Sequence, residues 1–311
     1  MGLPISNRLR VAAIGFLNPA PLMWDFEHAP RSAALAERYS IHATTPSQCA
    51  EDLLAGRAEL GLIPVASLTR DMAIVPGCTI ASLDRVRSIQ LVVKLDRDQA
   101  GGKTSAASGS GITAAEQSAD KTSILSQVRT IAADTASRSS LAYAQILFRK
   151  FIGTSPQFRP APADPIAMLT TADAALLIGD PALVALEDRV RIESTIGPCA
   201  WFDLAHEWTT WTGLPWVAAV WAIRPGAGSH IAPRQLIDDL QQSRTNGLAH
   251  IDALVEEWTP RIAIPPATIR YYLTHNIHYE LSPDCIAAIE LFRKYAVEAD
   301  ILPPLDSLHI L

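Results

Sequence analysis

The chain of 311 residues is long enough for two lobes with cores of their own, and 49% hydrophobic with 19% charged residues places it with globular proteins, neither disordered nor fibrous. Its 26 Lys and Arg against 32 Asp and Glu give a net charge of −6, with no dense basic stripe, so a nucleic-acid partner lacks its electrostatic footprint. No apolar run approaches the ~18 residues that a bilayer span needs, which points to a soluble protein without a membrane partner.

In chain order, Arg8 and Arg10 precede the apolar stretch from Val11 to Leu17, but Asn18, Pro19 and Pro21 stand where an export signal would carry its cleavage site. Arg10 to Leu17 is therefore expected as the first strand of a cytoplasmic protein. A helix follows with both ends marked: Thr45 as N-cap, Pro46 at the first helical position, Gln48 three residues after the cap and Gly56 past the last turn. Glu59-Leu-Gly-Leu-Ile-Pro-Val65 has the continuous apolar character of a strand covered on both faces, and Ser88-Ile-Gln-Leu-Val-Val-Lys94 is a further strand.

Residues 99–123 are dominated by Gly, Ser, Ala and Thr, with Ile112 the only large apolar side chain, and are expected to form a flexible surface insertion. Order is expected to resume at Val128 to Ala133, followed by a helix opened by Ser137 with Leu141, Ala144, Phe148 and Phe151 on one face. Asp173 to Asp180 and Trp216 to Arg224 are strands, and the rest reads as mostly helical, with Ser282-Pro283-Asp284 as a helix start. Alternating strands and helices predict an α/β fold with parallel sheets. Cys49, Cys78, Cys199 and Cys285 are far apart, form no CxxC and are expected as reduced core thiols.

The chain has no GxGxxG after its first strand, no GxxxxGK[ST], no HExxH and no GxSxG. His275 and His278 lie three apart, but no Cys, Asp or Glu stands at ligand spacing, so neither a metal site nor a cofactor is expected. What remains is a set of polar residues at strand ends, where open α/β sheets bind ligands. Asn18 either hydrogen-bonds a ligand or caps its own turn. Thr45-Pro-Ser47 sits at a helix N-terminus that welcomes an anion, although capping alone accounts for it. Asp134-Thr-Ala-Ser-Arg-Ser-Ser140 holds more hydroxyls than capping needs, which leaves Ser137, Arg138, Ser139 and Ser140 as an anion-binding candidate. Gly179-Asp180 closes a strand in a turn where Asp180 can receive a hydroxyl or pair with a cation, and Ser88 stands where the chain leaves the first lobe. Two hydroxyl-rich helix starts facing one cleft suit a small ligand with two carboxylates.

These segments resemble, in order, motifs of the menaquinone-biosynthesis family. Phe16-Leu-Asn-Pro-Ala-Pro-Leu22 is similar to its Tyr-Leu-Asn-Thr-x-Pro-Leu, and Pro46-Ser47 followed by Gly56 to Val65 is similar to its Pro-Ser and Gly-x-x-Asp-x-Gly-Leu-x-Pro-Val. Val86-Arg-Ser88-Ile, Ser137-Arg-Ser-Ser140, Ala172 to Asp180 and Asp203 to Trp216 continue the likeness, with Pro19, Glu59 and Ser139 as departures. The resemblance implies a two-lobed fold of the type II periplasmic-binding-protein kind with a ligand cleft between the lobes. Lobe 1 is expected from residues 1–88 and 225–311 and lobe 2 from 89–224.

It also implies a hydro-lyase of the futalosine route that converts chorismate to 3-[(1-carboxyvinyl)oxy]benzoate without a cofactor. Asn18 and Ser88 are then the catalytic residues, and Ser47, Ser137, Arg138, Ser139, Ser140, Gly179 and Asp180 the substrate-binding set. A sister activity of the family, cleavage of cyclic futalosine to 1,4-dihydroxy-6-naphthoate, goes with a Cys-Pro-Asn-Asp motif that this chain lacks. A non-catalytic binding protein for a small carboxylate is the other alternative, because the fold serves solute capture as well.

Overall fold

The computed structural model describes residues 8–95, 114–134, 136, 138–227, 231–305 and 307–311. The first lobe opens with β1 (Leu9–Ile14), α1 (Ala20–Glu27), α2 (Ser32–Ala36), β2 (Tyr39–Thr44), α3 (Pro46–Leu54), β3 (Leu60–Pro64) and β4 (Ala73–Ser82). The chain then crosses to the second lobe and forms β5 (Ile89–Lys94), α4 (Ala114–Ser126), β6 (Thr130–Asp134), α5 (Arg138–Ile146), β7 (Gln157–Ala161), α6 (Pro165–Thr171), β8 (Ala174–Ile178), α7 (Gly179–Glu187), α8 (Arg189–Ile196), β9 (Cys199–Asp203) and α9 (Leu204–Thr212). It returns into β10 (Trp216–Ile223), followed by α10 (Pro233–Ala249), α11 (Ile251–Trp258), α12 (Pro266–Tyr271), α13 (Pro283–Glu298) and the short β11 (His309–Ile310).

The six-stranded sheet of the first lobe has the order β11-β4-β10-β3-β1-β2, and the five-stranded sheet of the second has the order β7-β6-β8-β5-β9. Leaving aside the edge strand β11, the two share one plan. A parallel trio, β2-β1-β3 or β7-β6-β8, is followed by a strand that runs antiparallel to both of its neighbours, β10 or β5. The α/β, two-lobed expectation holds, but the sheets are mixed and not purely parallel. Each antiparallel strand is the one through which the chain enters from the other lobe, so it meets the trio from the opposite end. For the same reason the expected boundary at 224 moves. Trp216–Ile223 pairs with β3 and β4, so the second crossing falls before β10, and 89–224 does not describe the second lobe.

Local sequence explains the elements that frame the cleft. The Thr45 hydroxyl accepts the Gln48 N–H at 3.3 Å, Pro46 fills the first position of α3, and Gly56 adopts φ +74° just past its end. β3 and β8 are buried along their whole length, as their unbroken apolar sequences require. The helix expected from Ser137 runs as α5 from Arg138 and ends in a π-helical turn, Leu147–Ile152, which keeps Phe148 fully buried and leaves Phe151 half-buried against Trp211. Ser137 itself lies outside the described residues. One apolar core runs through both lobes, joined where Tyr143 of α5 packs on Phe292 of α13 at 4.3 Å between ring centroids, and a smaller second cluster in the second lobe gathers around Leu169, Leu177 and Ile192. The four cysteines are free and buried within it or beside it.

The expected flexible insertion needs correction. Its described part is helical, because α4 begins at Ala114, and Lys121 reaches the buried Glu207 of α9 at 2.8 and 2.9 Å. Residues 99–113 lie outside the described residues. None of the described helices is long and apolar enough to cross a membrane.

Candidate active site

Four segments converge between the lobes: the loop after β1, the crossover between β4 and β5, the start of α7 and the start of α5. They surround a cavity of about 30 Å³, room for little more than a water while the lobes are together, walled by Phe16, Ile80, Ile178 and Trp216 and carrying Asn18, Ser88 and Ser140 as side-chain polar groups. No Lys, Arg or His is among the described lining residues. An anion here meets hydroxyls, an amide and backbone N–H groups.

Ser88 is held by its surroundings with unusual care. Arg87 before it adopts the left-handed φ of 62°, which costs a non-glycine residue about 1–2 kcal/mol. Asp203, at the end of β9, compensates by accepting the N–H of Arg87 at 2.6 Å and of Val86 at 3.3 Å while also capping α9 through the N–H groups of Ala205 and His206. Burial pushes the Asp203 carboxyl up and these four donors pull it back. Gln90 donates to the Arg87 carbonyl at 3.0 Å, and the Ser88 carbonyl accepts the Gly179 N–H at 2.8 Å. The turn that carries Ser88 is thus fixed to both neighbouring strands.

Gly179 starts α7 with φ +62°, and a Cβ there would stand 2.6 Å from the Phe16 ring. This close approach brings the second lobe onto the loop after β1. Next to it, Asp180 accepts the Leu17 N–H at 3.0 Å, and burial raises its carboxyl to about 6. Asp180 therefore orients the backbone beside Asn18 and is not itself a lining group. One atom of Asn18 is conspicuous: its buried Oδ1 has no hydrogen-bond partner.

The remaining expected binding residues divide differently. Ser140 lines the cavity, whereas Ser139 is fully buried between the lobes, accepting the Ala66 N–H at 3.2 Å and donating to the Ala218 carbonyl at 3.0 Å. Ser47 gives its backbone N–H to the Ala136 carbonyl at 3.0 Å, and Pro46 beside it, not Ser47, lines the cavity. Arg138 is exposed and pairs with Glu51 at 3.0 Å across the cleft mouth. These three join lobe to lobe in the structure.

Sequence reasoning missed Tyr272. It follows α12 in a π-helical turn, Tyr272–Asn276, and its fully buried hydroxyl donates to Ser88 Oγ at 2.8 Å. No motif could have pointed to it, since its partner is 184 residues away. His275 stacks on Tyr271 in the same turn, and His278 pairs its backbone with Ala81, so the two histidines serve separate structural ends. Among the described residues no three His, Cys, Asp or Glu side chains come together as a metal site.

Comparison with known proteins bears on the family and the fold. The chain is 24% identical over 260 residues to a chorismate dehydratase of Thermus thermophilus, a match that covers 80% of this chain and 83% of that one. A protein of Archaeoglobus fulgidus superposes with a TM-score of 0.69 at 13% identity, covering 96% of this chain and 100% of that one. An alkanesulfonate-binding protein of Xanthomonas axonopodis bound to MOPS superposes at 0.60 with 15% identity, over 98% of this chain and 96% of that one. A Candida albicans protein described as having the generic periplasmic binding protein fold superposes at 0.63 with 13% identity, over 98% and 92%. These likenesses establish the two-lobed binding-protein fold. A family model described as menaquinone biosynthesis matches residues 9–298, nearly the whole chain, and the protein belongs to that menaquinone-biosynthesis family.

Proposed function

We propose that the protein is a chorismate dehydratase, converting chorismate to 3-[(1-carboxyvinyl)oxy]benzoate and water as a step of the futalosine route in the cytoplasm. The observation that carries this reading is the unpartnered Oδ1 of Asn18 in a mostly apolar cavity that Ser88 also lines. An orphaned buried acceptor asks for a ligand donor, and the chorismate dianion has a single one, the C4 hydroxyl that leaves. The dehydratase relative at 24% identity supports the same substrate.

The reaction asks little covalent chemistry of the protein, because the ring becomes aromatic as the C3–H and C4–O bonds break. What it requires is orientation, exclusion of water and stabilisation of charge on the departing oxygen. In this reading Asn18 Oδ1 accepts a hydrogen bond from the C4 hydroxyl, whose proton stays on that oxygen, and Ser88 donates a hydrogen bond to the C4 oxygen. Phe16, Ile178 and Trp216 enclose the ring. A neutral serine is a poor base, so the C3 proton passes to the substrate's own side-chain carboxylate and from there to the leaving hydroxide, which completes water without an outside proton source. Ser140 and the start of α5 receive a carboxylate, and Ser47, Arg138 and Ser139 hold the lobes around it.

Incubation of purified protein with chorismate, followed by chromatography for the aromatic product, tests the activity. Ser88→Ala should lower kcat by about 10²-fold while product affinity, measured by calorimetry, stays close to wild type. Binding of chorismate without turnover in the wild type would instead identify a binding protein. Turnover of cyclic futalosine alone would identify the sister activity.

A further inference from the structure

Tyr272 does not belong to the walls of the cavity, yet two features of the chain converge to aim it at Ser88. The first is the π-helical turn Tyr272–Asn276, whose wider winding turns two side chains of one short segment toward the crossover between the lobes. Asn276 Nδ2 donates to the Arg85 carbonyl at 2.9 Å, and Tyr272 donates to Ser88 Oγ at 2.8 Å. The second is the direction of that hydrogen bond. Ser88 takes its proton from Tyr272 and spends none of its own on the contact, so the hydroxyl proton of Ser88 is left for the cavity that Ser88 lines. The phenol is thus a dedicated donor to Ser88, and it polarises the hydroxyl that Ser88 turns toward the cavity. Burial holds the phenol far above its ordinary range, so Tyr272 remains a donor throughout the working pH of a cytoplasmic enzyme.

We infer that Tyr272 is a positioning residue for the dehydration, one whose hydroxyl fixes Ser88 as a donor toward the departing oxygen. The inference rests on the proposed dehydratase reading and assigns to it a residue that never touches substrate.

Tyr272→Phe keeps the buried ring and removes only the hydroxyl. It should lower kcat by about 10- to 100-fold, less than loss of a direct donor, with product affinity and melting temperature near wild type. The double variant Ser88→Ala/Tyr272→Phe should be no slower than Ser88→Ala alone, because the second hydroxyl acts only through the first. Wild-type kcat in Tyr272→Phe, or losses that multiply in the double variant, would overturn the assignment while leaving the dehydratase reading intact. Absence of turnover in the wild type overturns both. Should the Phe variant fail to fold, a fluorinated tyrosine at 272, nearly isosteric and more acidic, takes its place. Then kcat and its pH profile shift with phenol acidity if Tyr272 positions Ser88, and stay constant if it only fills space.

Discussion

Burial raises the Asp180 carboxyl to about 6, against the single Leu17 N–H that favours its charged form. An unfolded Asp titrates near 3.9, so the folded protein binds more protons between about pH 4 and 6. The contribution of this residue to stability is complete below the unfolded value and is lost as pH rises through about 6. Asp180→Asn retains an acceptor for Leu17 and removes the titration. Between pH 4 and pH 8 the wild type should lose on the order of 1–2 kcal/mol relative to this variant, read from denaturant unfolding at both pH values. Parallel stability curves would mean that Asp180 titrates normally. Such detail marks how far single residues are legible in a sequence. Asn18, Ser88, Ser140 and Gly179 could be picked out because hydroxyls and amides at strand ends are the usual material of a ligand site, and the structure gathers them at one cavity. Ser139 and Arg138 belong to the same hydroxyl-rich segment but bond to Ala66, Ala218 and Glu51 of the other lobe, and residue type alone does not say which partner is nearest.

Secondary elements were most legible where caps and apolar runs coincide, as in α3 with its Thr45 cap, in the wholly buried β3 and β8, and in α13 with its Ser282 cap. They were least legible where the deciding contact is distant. The low apolar content of residues 114–123 argued against order, yet α4 is anchored by charge: Lys121 pairs with a Glu207 whose side chain is only 4% exposed. Truncating one member of such a pair leaves the other charge buried. Lys121→Ala should therefore cost about 2–3 kcal/mol, and deletion of residues 99–123 should be destabilising by at least as much. Glu207→Gln in the Lys121→Ala background should recover a large part of the loss, since the stranded carboxylate is gone. Additive effects in that cycle, measured by urea unfolding, would show that the pair contributes nothing and that α4 is dispensable. The lobe assignment of β10 was missed for a related reason, because an apolar strand carries no mark of the sheet it joins.

The two lobes meet at the cleft through contacts that must separate if a ligand is to enter: Leu17 N–H to Asp180, Ser47 N–H to the Ala136 carbonyl, Arg138 to Glu51, and the Phe16 ring against Gly179. A substitution at one of these changes the balance between open and closed forms, and affinity follows that balance. Gly179→Ala separates two effects. The left-handed φ of +62° belongs to the start of α7 in either form, so its strain of about 1–2 kcal/mol lowers overall stability. The contact of the new Cβ with Phe16 at 2.6 Å exists only when the lobes are together, so it penalises the closed form alone. Product affinity should fall on the order of tenfold, with the radius of gyration from small-angle scattering larger than in the wild type. Adding Phe16→Leu to Gly179→Ala should restore part of the affinity without restoring the melting temperature, because it relieves the contact and leaves the backbone strain. A Gly179→Ala variant that melts early but binds product as the wild type does would show that Phe16 yields freely and that closure does not depend on this contact.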